Sequence, residues 1–463
     1  MSVSHSAQYE PTHTDVWTVL EELPHRIKAL LKRHESSREF GFEALERELH
    51  ALFTHAECAA TREALERHDV DLPHVFIDGK KHRRVYRGEK TYLCAVGPVT
   101  AMRTLYLARP GERAVAALES RVGIVEGYWT PHAARQGAML CAHLVPREAE
   151  EVLAALGNMA PSKSLLDRLP KALSARWEGE RPRFEARVRE AALDVPNTAC
   201  TMAVSLDGVM APMKGSEGGG YREASCASVS LYDAEGERLA TLRMARMPEE
   251  NKATLKTMVA AEVEAVLRKH PDLELVKIAD GAKDNWTFLG EVLPEGVELI
   301  DFWHAAEHLK DAFDAAYGAD DAQAMAQFEK YRHRLRYETG GVGRVIRALR
   351  HLRSQHPGNE RIAQSLGYFR NNQHRMGYAE AKDNNLPIGS GVVEATCKTL
   401  VTERLKRSGM RWSVRGGQAI LTLRAWLQSN RFEAGWAVLS DTYRSKVSAP
   451  ENVVPLRRRT RIH

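Results

Sequence analysis

Two short apolar stretches, TMAVSLDGVM (residues 201–210) and LELVKIADGAKDNW (residues 273–286), decide how this chain folds. Each has the apolar pattern of a β-strand, and each runs into an Asp-Gly pair, at Asp207 and at Asp280. We expect both strands to end at these glycines, so that the carboxylates leave the edge of a sheet while their backbones stay anchored. A third acid, Glu394, lies far downstream in GSGVVEATCK, just inside a predicted helix.

Three carboxylates that converge on one point repel each other unless cations neutralise them. Oxygen ligands suit Mg²⁺ or Mn²⁺, and a pair of such ions is the usual apparatus of phosphodiester chemistry. Any one of these acids alone is typical of a solvated strand end. In their contexts, Asp207, Asp280 and Glu394 predict a site for two Mg²⁺ or Mn²⁺ ions.

Four segments carry a family resemblance: DGVMAPMKG, IADGAKDNW, DFWHAAEHL and the long PIGSGVVEATCKTLVTERLKRSGMRWS. From about Thr201 to Trp426 the chain resembles the catalytic half of bacterial insertion-sequence transposases of the DDE type, Kra group, which are distantly related to the Mutator-like transposases. The resemblance implies an RNase H-like catalytic fold that acts on transposon ends. It also implies that Asp207, Asp280 and Glu394 form the acid triad.

The segment DFWHAAEHL supports two different interpretations. Asp301 and His304 resemble the acid-x-x-His element that follows the second aspartate in Mutator-like enzymes. His304 is therefore a candidate for holding the scissile phosphate, and a hydrogen bond within the core is the alternative. The stretch from His304 to His308 also matches the HxxEH pattern of zinc peptidases. No third ligand or protease context accompanies it, so a zinc metallopeptidase is the minor alternative.

Composition limits the class of protein. With 463 residues, the chain is long enough for two or three domains, and its 43% hydrophobic and 27% charged residues are ordinary globular values. The net charge of +5 is mild, so binding to a polyanion depends on local clusters of cations. The six cysteines show no CxxC, which disfavours a zinc ribbon or a disulfide framework. No apolar run has membrane-spanning length, and the N-terminus has no secretory h-region, so we expect a cytoplasmic protein. The family resemblance implies in addition that it is bacterial and nucleoid-associated.

The N-terminal 120 residues are predicted to form helices and a small β-meander. Apolar residues recur at helical spacing up to about Arg67, and an alternating pattern follows from Val75 to Leu107. Asp78-Gly79 and Arg87-Gly88 are the predicted turns of the meander.

Residues 121–190 are predicted to contain a DNA-binding segment and a hinge. PREAEEVLAAL and PSKSLLDRLPKAL form two helices around a Gly-bearing turn, which suits a helix-turn-helix. Such a motif places Lys163 and Arg168 near a DNA major groove. Two short helices can mimic the motif, so a purely structural role is the alternative.

An α/β catalytic part follows this mainly helical region. Residues 195–319 are predicted to contain three strands, a crossover helix and two further strands, the last being VELIDFWH (residues 297–304). A helical insertion at 320–385 separates this first part of the core from the last acid helix and C-terminal helices at 386–440. A basic tail occupies 441–463.

Cations follow the third acid along the chain. Glu394, Lys398 and Val401 are predicted to share one helix face, and Glu403, two turns beyond Glu394, is the rival third acid. The segment RLKRSGMRWS interleaves cations with an aromatic ring, as in backbone binding and base stacking, although a helix end with dipole-favoured cations gives the same pattern. The predicted DNA contacts of this part are Lys398, Arg404, Lys406, Arg407, Arg411 and Trp412.

These expectations converge on a transposase. The predicted enzyme binds double-stranded transposon-end DNA, nicks it by Mg²⁺-dependent hydrolysis and transfers the freed 3′-OH to target DNA. Pairing of two ends implies a homo-oligomer on DNA. A catalytically inactive, end-binding DNA regulator is the principal alternative, and the complete acid triad disfavours it.

Overall fold

Two compact units make up the chain in this computed structural model. The first consists of Met1–Arg176 with Trp436–His463, and the second of Trp177–Gly435. Each unit combines helices with one five-stranded sheet, so the chain is a mixed α/β protein. No helix in the part that is described is both long enough and apolar enough to cross a lipid bilayer. The described residues are 15–36, 41–157, 159–215 and 220–450.

Helices dominate both units, and short 3-10 and π segments interrupt them. The 3-10 helices are Glu250–Lys252 and Gln373–Arg375, and a π-helix covers Cys397–Thr402. The α-helices, in chain order, are α1 (Val16–Ser36), α2 (Phe42–Arg67), α3 (Ala117–Val122), α4 (Pro131–His143), α5 (Pro146–Leu156), α6 (Lys163–Gly179), α7 (Arg181–Ala192), α8 (Ala253–Lys269), α9 (Lys283–Glu291), α10 (Phe302–Tyr317), α11 (Ala322–Tyr337), α12 (Gly341–Gln355), α13 (Glu360–Asn372), α14 (Tyr378–Asp383), α15 (Gly391–Thr396), α16 (Glu403–Leu405), α17 (Val414–Gln428) and α18 (Phe432–Asp441).

The described residues contain ten strands, which fall into two separate sheets. The first unit has the order β10-β1-β2-β3-β4, and the second unit has the order β7-β6-β5-β8-β9. The strands are β1 (His74–Ile77), β2 (Lys80–Cys94), β3 (Gly97–Leu107), β4 (Val115–Ala116), β5 (Thr201–Pro212), β6 (Tyr221–Tyr232), β7 (Arg238–Arg246), β8 (Glu274–Ala279), β9 (Val297–Ile300) and β10 (Val447–Ser448).

The sheet of the first unit is the predicted meander with one difference. Asp78 and Gly79 both adopt left-handed backbone angles, with φ of 48° and 78°, and form the predicted two-residue turn between β1 and β2. The predicted turn at Arg87-Gly88 is wrong. Both residues pair with β3 inside the continuous strand β2, and the only irregularity of that pairing lies between Arg84 and Tyr86.

The basic residues of β2 meet acids of the same unit. Arg84 lies 3.1 Å from Asp71, and Arg87 lies 3.3 Å from Asp71 and 3.8 Å from Asp69. These ion pairs compensate part of the positive charge that the sequence concentrates on the strand.

The predicted helix-turn-helix corresponds to α5 and α6. Lys163 is the first residue of α6, and both Lys163 and Arg168 are exposed. The second helix is longer than its pattern predicted and continues to Gly179. A DNA-reading role for these residues stays a prediction.

The start of the predicted basic tail belongs to the first sheet. Val447 pairs with Ile77, and Ser448 pairs with Phe76, so this part of the chain is the edge strand β10. The basic segment PLRRRTRIH, like the N-terminal residues 1–14, lies outside the described residues.

The second sheet combines antiparallel and parallel strands. β5, β6 and β7 form an antiparallel meander, and β8 and β9 run parallel to β5. Helix α8 connects β7 to β8, as the sequence predicted. Two strand ends were predicted wrongly: β5 continues through Asp207 to Pro212, and β9 ends at Ile300. Asp301 stops β9 because its side chain caps α10 instead.

The helical insertion shares the core of the second unit. Phe328, Leu349 and Phe369, from α11, α12 and α13, are buried in one cluster with residues of the sheet and of α8. Arg347 and Arg350 lie on the opposite, exposed side of α12. The insertion is therefore an integral layer of this unit and presents cations to solvent.

Candidate active site

The two predicted aspartates lie on strands β5 and β8 or directly after them, and these strands pair in parallel. Ser205 pairs with Ile278, and Asp207 and Asp280 each follow two residues later. Side chains two residues apart on a strand point to the same face, and neighbouring strands lie about 4.8 Å apart. Asp207 lies within β5 and Asp280 directly follows the end of β8 at Ala279, so both aspartates lie at the same end of two adjacent strands.

Asp207 is held by its own strand and by the helix that carries the third acid. Its Oδ1 accepts a hydrogen bond from the Gly208 amide at 2.7 Å, and its Oδ2 accepts one from the Cys397 thiol at 3.5 Å. A thiol contact with Cys226, burial and the charge of Asp207 raise the pKa of Cys397 well above its usual value. The thiol therefore stays protonated and remains a donor to Asp207.

Asp280 has one carboxylate oxygen fixed from two sides. Its Oδ1 accepts hydrogen bonds from the Ala282 amide and from Asn285 Nδ2, each at 3.1 Å. Its carbonyl oxygen accepts one from the Trp286 indole at 2.6 Å. Among the residues that the structure describes, Oδ2 of Asp280 accepts no hydrogen bond, which leaves it for a further ligand.

Glu394 lies close enough to Asp207 and Asp301 for their charges to act on it. Partial burial and the nearby carboxylates of Asp301 and Asp207 raise the pKa of Glu394, and His304 acts in the opposite direction. The rival Glu403 lies instead 3.8 Å from Arg424. The structure therefore brings Glu394 to Asp207.

A π-helix changes the register of the segment after Glu394. The wider turn begins at Cys397, and π-helical turns occur frequently at functional sites. Glu394 and Lys398 are exposed, whereas Val401 is fully buried, so the prediction that the three share one face is wrong. Cys397, whose thiol donates to Asp207, is the first residue of this π-helix.

Asp301 is a buried acid that forms hydrogen bonds with both the start of α10 and the loop before Glu394. The residue is fully buried, and its Oδ1 accepts hydrogen bonds from the amides of Trp303 at 2.6 Å and His304 at 2.9 Å. Its Oδ2 accepts one from the Ser390 amide. The acid thus caps α10 and ties the loop before Glu394 to it.

The two histidines of the HxxEH stretch have different surroundings. His304 Nδ1 lies 3.4 Å from Glu307, and its side chain is 39% exposed beside the acids. His308 stacks on Tyr368 with ring centroids 3.8 Å apart, and burial lowers the pKa of His308. The stacking occupies one face of the His308 ring.

Tyr368 of the insertion packs directly against the second Asp-Gly pair. A Cβ added to Gly281 would lie 2.5 Å from the Tyr368 ring, so only glycine fits at this position without a shift of the ring. Burial and the charges of Asp280 and Asp301 raise the pKa of Tyr368 above its usual value. The insertion therefore forms one wall of the acid site.

The predicted DNA contacts after Glu394 divide into two groups. Arg404 is only 1% exposed and lies 5.4 Å from the Trp412 ring, so the prediction that it contacts DNA directly is corrected. The Trp412 indole donates to the Leu405 carbonyl at 2.9 Å, and its backbone pairs with Met213. The ring is thereby packed as part of the fold. The exposed cations are Lys398, Lys406, Arg407 and Arg411.

Three residues of the site were not predicted from the sequence. Cys397 and Asn285 stand inside the quoted motifs, three residues after Glu394 and five after Asp280, and this spacing was a usable signal. Lys252 belongs to no motif, and only the structure shows that it contacts Asn285.

The acids have the chemistry of a hard-cation site. Asp207, Asp280 and Glu394 supply oxygen ligands only, which are the ligands that Mg²⁺ or Mn²⁺ prefers. Within the described ranges, no three His, Cys, Asp or Glu side chains form a group that could hold a metal ion as they are placed.

The chain was also compared with known proteins. No protein-family model matches it, and no curated protein shows significant similarity to it.

Proposed function

We propose that the chain is a DDE-type transposase of a bacterial insertion sequence, which cuts transposon-end DNA and joins the freed 3′-OH to target DNA. One observation carries the proposal. The strands β5 and β8, which lead to Asp207 and Asp280, are parallel neighbours, and Asp207 contributes to the raised pKa of Glu394, which comes from a helix more than a hundred residues later. Both features agree with the triad that the family resemblance predicts, and they support the proposal.

The sheet of the second unit supports an RNase H-like core. A three-stranded antiparallel meander, a crossover helix and two parallel strands follow in the order that the resemblance implies. The insertion of α11 to α13 then separates this sheet from the acid-bearing helix α15.

Asp207, Asp280 and Glu394 would hold the Mg²⁺ or Mn²⁺ ions. Such a pair of ions, when bound, lowers the pKa of an attacking water and stabilises charge on the leaving oxygen. The protein orients the ligands: Gly208 and Cys397 fix the Asp207 carboxylate by hydrogen bonds. Asp301 holds the loop before Glu394 in place.

Other exposed groups suit the DNA substrate. His304 lies beside Glu394, where an imidazole N–H can donate to a phosphate oxygen of the cleaved strand. The exposed Lys398 and Arg411 suit contacts with the DNA backbone, and Lys163 and Arg168 suit recognition of the ends. Pairing of two ends calls for a homo-oligomer on DNA.

The proposal is tested with the DNA that flanks the gene. Full-length protein is incubated with a duplex carrying those flanks and with a duplex of scrambled sequence, each with Mg²⁺, Mn²⁺ or no metal. We expect nicks at the ends of inverted repeats, free 3′-OH termini and no covalent protein–DNA adduct. Asp207→Ala should bind the duplex without cutting it. Wild-type protein that binds these ends and never cuts them would instead be a regulator.

A further inference from the structure

Helix α8 begins with two unfavourable backbone conformations in succession. Asn251 and Lys252 have φ of 52° and 53°, in the left-handed region that non-glycine residues rarely adopt. Lys252 is also the N-cap of α8, a position where the helix dipole disfavours a cation. Such costs persist where the surroundings compensate for them, and they cluster at functional sites.

The side chain of Lys252 reaches the second aspartate through one intermediate. Its Nζ lies 3.0 Å from Glu223 Oε1 and 3.3 Å from Asn285 Oδ1. Asn285 Nδ2 in turn donates to Asp280 Oδ1 at 3.1 Å. Asn285 is 2% exposed, so bulk water cannot replace either of its partners.

The chemistry of Lys252 determines which way the Asn285 amide points. An ammonium group can only donate, so the amide oxygen faces Lys252 and the amide NH₂ faces Asp280. In the reversed orientation, the amide oxygen would face a carboxylate and the NH₂ would face an ammonium, and both hydrogen bonds would be lost. Lys252 thus maintains the donor that fixes Oδ1 of Asp280.

The same lysine also reaches the neighbourhood of the first aspartate. A Cβ added to Gly208 would lie 2.4 Å from Glu223 Oε1, so the Glu223 carboxylate covers the residue next to Asp207. Lys252 pairs with that carboxylate and offsets its charge beside the acid site.

We propose that Lys252 is a positioning residue, which orients Asp280 through Asn285 and thereby prepares the acid site for a divalent cation. This inference rests on the proposed metal-dependent function. The contacts, the buried amide and the strained backbone are independent observations, and all three point to the same side chain.

The test measures Mn²⁺ binding to the full-length protein without DNA, by electron paramagnetic resonance titration. Lys252→Met removes the ammonium and keeps the length of the side chain. We expect it to weaken Mn²⁺ binding by about 10-fold or more, the usual effect of removing a group that orients a metal ligand. The matched control is Lys256→Met, because Lys256 lies one turn further on α8 and pairs with Asp284 at 2.7 Å. Its Mn²⁺ affinity should equal that of the wild type.

Lys252→Gly separates positioning from a purely structural role. Glycine adopts φ near 50° without strain, so this variant should melt at the same temperature as the wild type or higher. Its Mn²⁺ affinity should nevertheless fall as far as that of Lys252→Met. Lys252→Arg keeps a cationic donor and should retain more affinity than either variant.

Two results overturn the inference. One is Mn²⁺ affinity equal to the wild type in both Lys252→Met and Lys252→Gly, and the other is equal loss in Lys256→Met. Asp280→Ala distinguishes this failure from failure of the proposed function. If Asp280→Ala loses Mn²⁺ binding while the Lys252 variants keep it, only the role of Lys252 is wrong. If Asp280→Ala also keeps Mn²⁺ binding, the metal site itself is wrong.

Discussion

Replacing Asp301 by asparagine should loosen the loop that carries the third acid. In the wild type, Oδ1 of Asp301 accepts from Trp303 and His304, and Oδ2 accepts from the Ser390 amide. Asparagine keeps one acceptor oxygen, which can still cap α10. Its NH₂ group then faces the Ser390 N–H, donor against donor, and that buried amide loses its partner.

The size of the effect follows from the number and burial of these bonds. Losing a hydrogen bond to a charged group and leaving the Ser390 N–H unsatisfied should cost about 1.5–3 kcal/mol. At 1.4 kcal/mol per factor of ten, local opening of the loop becomes about 10- to 100-fold more frequent. Asp301→Ala loses the helix cap as well and should cost about 1 kcal/mol more.

Hydrogen–deuterium exchange followed by mass spectrometry measures this opening directly. We expect faster exchange in peptides covering residues 386–396 of Asp301→Asn, together with slower DNA cleavage. Asp321→Asn is the matched control, because Asp321 caps α11 through Gln323 and Ala324 and, among the residues that the structure describes, contacts no distant loop. If exchange at residues 386–396 is unchanged in Asp301→Asn, or is equally faster in Asp321→Asn, Asp301 does not hold this loop in place.

The other predictions address charge, the two histidines and DNA binding. Partial burial and the carboxylates of Asp301 and Asp207 raise the pKa of Glu394. The ionised Glu394 side chain is therefore less favourable in the folded state than in the unfolded state, and the folded state loses stability as the pH rises through the pKa of Glu394. In thermal melts without metal, Glu394→Gln should therefore have a higher Tm than the wild type at about pH 7 and the same Tm as the wild type at about pH 4. An equal difference in Tm at the two pH values would contradict this prediction. His304→Ala should slow cleavage by about 100-fold, whereas His308→Ala should mainly lower the Tm. Equal loss of cleavage in both, with tightly bound zinc, would point to a peptidase-like site. Lys163→Ala and Arg168→Ala in the full chain should each weaken end binding and reduce the slope of log K against log salt by about 1. An unchanged slope would remove these residues from the interface.

Local sequence pattern was sufficient to predict the two strands that lead to the first two acids. The apolar periods of residues 201–210 and 273–286 predicted β5 and β8, and a crossover helix before β8 was also predicted; that β5 and β8 pair in parallel is known from the structure. The exact end of β5 was not predictable from the Asp-Gly pair. Twelve residues of β6 pair with β5 from Thr201 to Pro212, and this partner keeps the strand extended beyond Asp207.

Errors and omissions arose where distant segments determine the environment of a residue. The cations after Glu394 look equivalent in sequence, but the packing of Trp412 against the end of β5 buries Arg404 and leaves Arg411 exposed. The π-helix is likewise not encoded by a recognisable period. Lys252 has no motif of its own, because its role depends on meeting Asn285 across the fold.

The most direct test of the account compares single alanine variants in cleavage of end-containing DNA. Asp207→Ala, Asp280→Ala and Glu394→Ala should each cleave about 1,000-fold more slowly than the wild type, with DNA binding retained, because each removes a ligand of the metal site. Glu403→Ala should cleave within about threefold of the wild type, since the Glu403 carboxylate lies 3.8 Å from Arg424. Near-normal cleavage by any of the first three variants, or loss of cleavage in Glu403→Ala, would contradict the assignment of the acid site.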